Sequence, residues 1–404
     1  MKILIASDAY YPPNVSGVAY FSHRLAKQLA RDGNRVYVVA PSRGLRNEIY
    51  RQDGVTVYGV TSIPVPTVKG FRVSLVPLIR SIVGRIVGRI KPDVIHVQNH
   101  FMIGKVAVEI AKKNGIPVIG TNHFMPENLV HYFHLPKTAE RGLIRFGWRQ
   151  FVRVYNKVDY VTSPTKTAAD LLDEIGFVKK VKPISCGIDL ERFTPKNRGD
   201  YLMRIYNVPQ RVPILLYVGR LDKEKNVDVV IRSLPKILKV QKIHFVIAGS
   251  GNIREKLQDL VRKMKLSHHV TFTGFVSDVD LPNLYAVADI FVAPGGAELQ
   301  CISALEAVAT GLPLVAADAV ALPELVKDGK NGFLFVPGNC NSLADKIIKI
   351  LSNKDLAERM GRESLRIAQK HDIKISVSEF ETLYRRAIAL RYQKEYRSSN
   401  LKTR

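Results

Sequence analysis

Short apolar runs alternate with amphipathic segments along nearly the whole chain. Most neighbouring runs are separated by about 10–20 residues with helical periodicity, for example 19–33. This alternation is typical of βαβ units and of parallel sheets with both faces covered. The runs form two series of predicted strands, which are 2–7, 35–41, 55–60, 93–98, 117–123 and 159–164 in the first, and 214–219, 243–249, 270–274, 290–295 and 313–318 in the second.

Two series of strands predict two doubly wound α/β domains. Ligands in such domains bind outside the carboxyl ends of the strands, so the expected site is a cleft between the domains. A segment rich in Gly, Pro and charge, 185–200, lacks periodicity and marks the boundary. We therefore predict an N-terminal domain over 1–190, a C-terminal domain over 191–375, and a last helix near 376–397.

Composition narrows the class of protein. With 404 residues, of which 46% are hydrophobic, the chain can fill two cores. A formal net charge of +25 favours polyanionic partners, namely nucleic acid, anionic lipid or phosphorylated substrates. Three scattered cysteines predict neither a zinc site nor a disulfide framework, and they fit a reducing, cytosolic compartment. The first apolar run is too short for a signal peptide, and no uncharged run reaches the roughly 18 residues of a spanning helix.

Two β–α turns carry groups that suit phosphate. Gly17 opens a helix after an unusually long loop, so an anion could approach the helix amides. Arg220 and Lys225 flank the end of a strand, where two cations could neutralise a diphosphate. A long loop and a chance pair of surface cations are the structural alternatives.

Other strand ends are less informative by themselves. Gly249 and Gly251 end one strand and fit a plain turn as well as a ligand loop. Asn226 is predicted as the N-cap of the helix after Lys225. His123 follows a buried-looking strand, where it could donate a hydrogen bond to a sugar hydroxyl or be a satisfied core residue.

Glu298 and Glu306 lie eight residues apart around the start of a helix. Ser303 and Glu306 fit a capping box, which would give Glu306 a structural role. The box does not explain Glu298, which precedes the helix and could accept hydrogen bonds from vicinal hydroxyls. Glu306 could instead accept hydrogen bonds from a ribose, with helix amides available for phosphate.

Together these segments resemble the retaining glycosyltransferases of family four, which have the GT-B fold of two facing Rossmann-like domains. The matching segments are the Gly17 loop, "TNH" (121–123), "CGIDLERFTP" (186–195), "VGRLDKEKN" (218–226), "AGSGN" (248–252) and the Glu298–Glu306 pair. The resemblance implies an interdomain cleft and a last helix that returns to the N-terminal domain, which then includes 376–404.

The resemblance also implies roles for single residues. Arg220 and Lys225 would bind the donor diphosphate. Glu298 would hold hydroxyls of the transferred sugar, Glu306 the ribose, and His123 the region of the sugar's 6-hydroxyl. His123, Glu298, Arg220 and Lys225 form the predicted catalytic set. Donor contacts are also expected at Gly17, Gly219, Gly249, Gly251 and Ile302.

The chain departs from the family pattern in two places. Ser16 and Gly17 stand where the family usually has paired glycines. "ELQC" (298–301) replaces the common "EGFG", which affects the backbone contacts that those glycines make to the donor.

A lipid acceptor is implied by the segment "HFMPENLVHYF". It is similar to the H-T-x-Y-E-x-x-x-H-Y element of diacylglycerol glucosyltransferases, with His123, Glu127, His131 and Tyr132 in register and Pro126 in place of the tyrosine. Glu127, His131 and Tyr132 are therefore predicted to bind the acceptor.

Two basic amphipathic stretches, 74–93 and 140–157, could lie on an anionic membrane. In the first stretch the residues expected to enter the bilayer are Leu75, Ile79, Ile82 and Ile86. The alternative is a pair of ordinary helices with solvated arginines.

The sequence thus predicts a retaining transferase that moves a hexose, with glucose from UDP-glucose preferred, to a membrane lipid such as diacylglycerol. Alternatives are a GDP-mannose-dependent mannosyltransferase acting on phosphatidylinositol or a glycan and, more distantly, a non-enzymatic nucleic-acid-binding protein, although no nucleic-acid motif is present. The expected partners are the sugar nucleotide, the lipid and an anionic membrane surface. No cofactor and no metal are expected, and the expected location is the cytoplasm, peripheral on the inner face of the cell membrane.

Overall fold

The computed structural model describes residues 1–14, 16–65, 72–74, 76–127, 136–209 and 211–402, without the side chains of 76–78 and 394–402. Packing divides the chain into two compact units. One unit comprises Met1–Cys186 with Ile373–Arg404, and the other comprises Gly187–Asp372. The division falls a few residues before the boundaries expected at 190 and 375.

An eight-stranded sheet forms the centre of the first unit. Its strands and those of a small hairpin are β1 (Lys2–Ala6), β2 (Arg35–Pro41), β3 (Glu48–Gln52), β4 (Val55–Val60), β5 (Ser62–Pro64), β6 (Arg72–Ser74), β7 (Val94–Val97), β8 (Val118–Thr121), β9 (Tyr160–Ser163) and β10 (Val181–Pro183). The sheet order is β10-β9-β8-β7-β1-β2-β4-β3, with β5 and β6 paired separately. Neighbours are parallel except β3, which runs antiparallel to β4. Every residue of β7 and β8 is buried, because helices cover both faces.

Helices pack on this sheet along their apolar faces. They are α1 (Gly17–Arg31), α2 (Val76–Ile90), α3 (Met102–Lys113), α4 (Lys137–Tyr155) and α5 (Lys166–Glu174). On α2, Ile79 and Ile86 are buried in the core and Ile82 packs against it. The prediction that these residues enter a bilayer is therefore wrong, and Leu75 lies outside the described residues.

The second unit has a six-stranded parallel sheet. Its strands are β11 (Ile214–Val218), β12 (His244–Ala248), β13 (Val270–Gly274), β14 (Ile290–Ala293), β15 (Leu314–Ala317) and β16 (Gly332–Phe335), in the order β13-β12-β11-β14-β15-β16. The chain enters at β11, builds outward to β13, and then returns to place β14 on the other side of β11. The carboxyl ends of β11 and β14 therefore form the topological switch point, where doubly wound folds bind ligands.

Eight helices of the second unit lie within the described residues. They are α6 (Asp200–Ile205), α7 (Val227–Leu238), α8 (Arg254–Lys263), α9 (Leu281–Ala286), α10 (Ile302–Ala309), α11 (Leu322–Leu325), α12 (Cys340–Leu351) and α13 (Lys354–Gln369). A short 3₁₀ turn, Lys223–Lys225, precedes α7.

The last helix, α14 (Ile373–Lys402), belongs to the first unit, as the resemblance implied. It packs on α1, β7 and β8. The Tyr384 hydroxyl lies 2.8 Å from Nδ1 of the fully buried His96, and Asn34 donates a hydrogen bond to Glu381 at 2.6 Å. The prediction of two α/β domains with parallel sheets is confirmed. Among the described helices, none combines the length and apolarity needed to cross a bilayer.

Candidate functional site

The switch point of the second unit brings three predicted residues together. Arg220 follows β11, Lys225 ends the 3₁₀ turn, and Glu298 follows β14, the strand beside β11. The Lys225 Nζ and a Glu298 carboxylate oxygen are 2.5 Å apart, and both side chains are largely buried. A cation and a carboxylate are thus paired at the place where a ligand is expected.

Two buried carboxylates hold Arg220. Its guanidinium donates to Asp222 Oδ2 at 2.5 Å and to Glu224 Oε1 at 3.0 Å. The other Asp222 oxygen accepts from the backbone amide of Asn252 at 3.1 Å, which ties the turn after β11 to the turn after β12. The sequence did not indicate Asp222 or Glu224, although both lie within the motif that contains Arg220.

Helix α10 begins two residues earlier than a Ser303 N-cap would place it. Ile302 is its first residue and Cys301 occupies the N-cap position without a capping hydrogen bond, so Ser303 lies inside the helix. The capping box that was the structural alternative for Glu306 therefore does not form. Glu306 is buried, and its Oε2 accepts a hydrogen bond from the Tyr285 hydroxyl at 2.9 Å.

Asn226 does not cap α7 with its side chain. Its backbone has a positive φ of 50° and no capping hydrogen bond forms, a conformation that Asn tolerates better than most residues. Its side-chain amide instead donates to the Pro294 carbonyl at 3.4 Å. The residue thereby links the turn that carries Lys225 to the segment after β14.

In the first unit, His123 lies just past β8. Its Nε2 is 3.1 Å from Oε1 of Gln98, which follows β7, and its ring packs against Phe21 with centroids 4.9 Å apart. Burial lowers the pKa of the His123 imidazole to about 3, so the ring is neutral at physiological pH. Gln98 was not predicted from the sequence.

The remaining predicted residues of the first unit are partly described. Gly17 is the first residue of α1, because the Ser16 side chain caps the helix by accepting from Ala19 N at 3.3 Å. Glu127 is half-buried, and its Oε2 has no hydrogen-bond partner among the described residues. His131 and Tyr132 lie outside the described residues.

Solved structures with a similar fold cover almost the whole chain. Sucrose-phosphate synthase from Thermosynechococcus elongatus superposes with a TM-score of 0.81 at 19% identity, over 96% of this chain and 99% of that one. Anabaena HepE in complex with UDP-glucose gives a TM-score of 0.77 at 22% identity, over 95% of this chain and 99% of that one. These similarities establish the fold.

Two family models match the sequence. Glycosyltransferase Family 4 matches residues 15–192, and Glycosyl transferases group 1 matches residues 201–366. The chain belongs to the GT-B glycosyltransferases. The distant alternative of a non-enzymatic nucleic-acid-binding protein is therefore not retained.

Relatives of this glycosyltransferase act in several reactions. The alpha-monoglucosyldiacylglycerol synthase of Streptococcus pneumoniae is 26% identical over 90% of this chain and 82% of its own. The sulfoquinovosyl transferase SQD2 of Arabidopsis thaliana is 28% identical over 89% and 68%. A GDP-mannose-dependent alpha-mannosyltransferase of Mycobacterium tuberculosis is 27% identical over 90% and 92%.

Electrostatics at the glycosyltransferase's switch point favour charged, paired groups. Burial opposes the charge on Lys225, but the adjacent Glu298 carboxylate outweighs it and raises the lysine pKa above its ordinary value. Burial raises the pKa of the neighbouring Cys301 thiol to about 12, so this thiol is not a nucleophilic thiolate.

The turns after β11 and β12 pack closely together, and this packing accounts for the three predicted glycines. A Cβ on Gly249 would lie 1.9 Å from the Gly219 carbonyl oxygen, and one on Gly251 would lie 2.4 Å from the Leu221 carbonyl oxygen. A Cβ on Gly219 would in turn meet the Tyr217 hydroxyl at 2.7 Å. These glycines therefore have a structural role, and their contact with the donor stays a prediction.

Asp8 is a further buried acid that the sequence did not indicate. It follows β1, and its carboxylate accepts from the amides of Ile103 and Gly104 at 2.8 and 3.2 Å, at the start of α3. Burial outweighs these hydrogen bonds and raises the Asp8 pKa to about 6. Within the described part of the chain, no group of three or more His, Cys, Asp or Glu side chains could hold a metal ion.

Proposed function

We propose that this glycosyltransferase transfers a hexose, with glucose from UDP-glucose as the first candidate, to a membrane lipid such as diacylglycerol, with retention at the anomeric carbon. The observation that carries the proposal is the Lys225–Glu298 pair beside Arg220, at the switch point of the second unit. These residues match a donor made of a diphosphate, which needs cations, and a sugar, which offers hydroxyl groups.

The chemistry follows from the charges. Arg220 and Lys225 bind the diphosphate and stabilise the negative charge that grows on it as the bond to the anomeric carbon breaks. Glu298 accepts hydrogen bonds from hydroxyls of the sugar. The acceptor oxygen attacks the anomeric carbon on the face that the diphosphate leaves, and its proton passes to the departing phosphate oxygen. These steps, like independence from a metal, are carried over from the family resemblance.

A basic stripe on α4 supports a membrane-bound acceptor. Lys137, Arg141, Arg145, Arg149 and Arg153 recur every fourth residue and are all exposed. The neighbouring Phe146 is 58% exposed, whereas Phe151, Val154 and Tyr155 near the end of the helix are buried. Cations near an anionic surface contribute about 1 kcal/mol each. We therefore assign membrane contact to α4 instead of α2, with the protein peripheral on the cytoplasmic face of the cell membrane.

A cavity of about 220 Å³ lies beside this stripe. Lys105, Arg153 and Lys157 line it, together with Val108 and Glu109. Three cations around one carboxylate favour an anionic group, and the phosphate of a lipid headgroup fits this requirement.

Liposome flotation tests the membrane contact. Charge reversal of Arg141, Arg145 and Arg149 to Glu should abolish recovery with anionic vesicles, and wild type should need anionic lipid and low salt. The matched control reverses three exposed cations of the second unit that form no ion pair among the described residues, Lys239, Lys256 and Lys263, and it should float as wild type does. Equal recovery with neutral and anionic vesicles, or none with either, would favour a soluble acceptor.

A donor and acceptor screen tests the reaction. Release of nucleotide from UDP-glucose should depend on vesicles that contain diacylglycerol, and proton NMR of the product should show the α-anomer. Similarity to GDP-mannose-dependent relatives supports a second candidate, mannosyl transfer to phosphatidylinositol or a glycan. Turnover of GDP-mannose with those acceptors, and none of UDP-glucose, would select it.

A further inference from the structure

A buried amide, Gln98, holds one side of the His123 imidazole. Its side chain is fully buried at the end of β7, and its Oε1 lies 3.1 Å from His123 Nε2. The other end of the amide, Nε2, makes no hydrogen bond within the described residues. Leaving a buried donor unpaired costs about 1–3 kcal/mol. Among the described residues, the contact with His123 is the one hydrogen bond that this side chain makes.

The contact determines which imidazole nitrogen carries the hydrogen. A carbonyl oxygen only accepts, so the bond to Gln98 requires hydrogen on Nε2 of His123. A neutral ring has one N–H, which leaves Nδ1 as a lone-pair acceptor. His123 is half-buried, and the structure gives its Nδ1 no hydrogen-bond partner among the described residues.

We propose that Gln98 is a positioning residue that fixes the Nε2–H tautomer of His123, so that Nδ1 accepts a hydrogen bond from a sugar hydroxyl and disfavours an anionic group at that position. A hydroxyl can donate to Nδ1, whereas a carboxylate brings only lone pairs. The inference rests on the proposed function for the identity of the ligand as a sugar. The tautomer itself does not depend on that function.

Nitrogen-15 NMR of the full-length, histidine-labelled protein tests the tautomer without any substrate. His123→Gln identifies the His123 resonances. Wild type should show the pattern of an Nε2–H imidazole, and Gln98→Met, which removes the acceptor at similar size, should change it. Val97→Ala, a packing loss on the same strand, should leave it unchanged. An Nδ1–H pattern in wild type, or no change in Gln98→Met, would overturn the proposal.

Donor selectivity tests whether Gln98, acting through His123, favours a sugar hydroxyl over an anionic group. The assay to perform compares kcat/KM for UDP-glucose with kcat/KM for UDP-glucuronate, which carries a carboxylate. Gln98→Met should reduce the preference for UDP-glucose by about tenfold, the range of one hydrogen bond. In a His123→Gln background the same change should have no effect on the preference. Equal effects in both backgrounds would show that Gln98 does not act through His123. If neither donor turns over, the proposed function fails while the NMR result still decides the tautomer.

Discussion

Neutralising Glu298 should tighten the binding of free nucleoside diphosphate while it slows transfer. Glu298 forms an ion pair with Lys225 at 2.5 Å, and the two side chains are only 19% and 16% exposed. If Lys225 binds the diphosphate as proposed, the diphosphate must separate it from this carboxylate. The sugar's hydroxyls can compensate Glu298 when the intact donor binds, but UDP offers nothing in their place.

The size of the effect follows from the burial of the pair. Two unit charges at 4 Å attract by about 4 kcal/mol at an effective dielectric constant near 20. Solvation of the separated groups offsets most of this attraction. We therefore expect that separating Lys225 from Glu298 costs about 1–2 kcal/mol. Glu298→Gln should therefore bind UDP about 5- to 30-fold more tightly. Turnover should fall roughly a hundredfold, because the sugar hydroxyls then donate to a neutral amide oxygen instead of to a charged carboxylate.

Isothermal titration calorimetry of UDP, with kcat and KM for the donor, measures both effects. The matched control is Asp345→Asn, which neutralises the acid of another ion pair in the same unit, Lys236–Asp345 at 2.6 Å. This control should change neither quantity. The reasoning is refuted if Glu298→Gln binds UDP no more tightly than wild type. It is also refuted if the tightening persists when Lys225 is Met.

Three further predictions concern the donor site and the first unit. Arg220→Ala or Lys225→Ala should raise the barrier at saturating donor by roughly 2–4 kcal/mol, and a variant that loses only thermal stability would make the residue structural. Glu306→Ala should weaken nucleotide binding in calorimetry, and Tyr285→Phe, which removes only the hydrogen-bond donor, should weaken it much less; equal losses would assign the effect to packing. Asp8 has a raised pKa, from 3.8 to about 6, so its contribution to stability is complete below pH 4 and is lost as the pH rises through 6. Urea unfolding should show up to about 3 kcal/mol of this loss in wild type and little in Asp8→Asn, and equal pH profiles would contradict the assignment.

The long buried strands were predictable, because a parallel strand covered on both faces is a continuous apolar run. In the first unit, the shortest strands and the edge strand β3 were not. β5, β6 and β10 have three residues each, and β3, at the edge of its sheet, alternates between exposed and half-buried positions. Such segments have too few apolar residues to produce a period.

Amphipathic periodicity also does not show whether the apolar face of a helix packs on a protein core or on a membrane. A helix that faces a core and a helix that faces a membrane have the same apolar stripe. Ile79 and Ile86 fit both interpretations in the sequence, and only packing on the sheet places them inside.

Within the site, position along a strand was predictable and hydrogen-bond partners were not. Arg220 and Glu298 could be placed at strand ends because those ends meet at one edge of a parallel sheet. The contact of Gln98 with His123 joins residues 25 positions apart. No local pattern marks such a pair, since it depends on the register of β7 and β8.

The first unit is built from two segments of the chain, which lie on either side of the second unit in sequence. This arrangement affects the order in which the two units fold during synthesis. Domains usually fold in the order in which the ribosome makes them. Here the first unit needs α14, which is made after the second unit, to cover Phe21 with Phe380 and to give His96 its Tyr384 partner. Until then that unit has an open apolar face, while Gly187–Asp372 is already complete. The second unit can therefore finish folding first, and a nascent chain that stops before Ile373 should behave as an aggregation-prone intermediate.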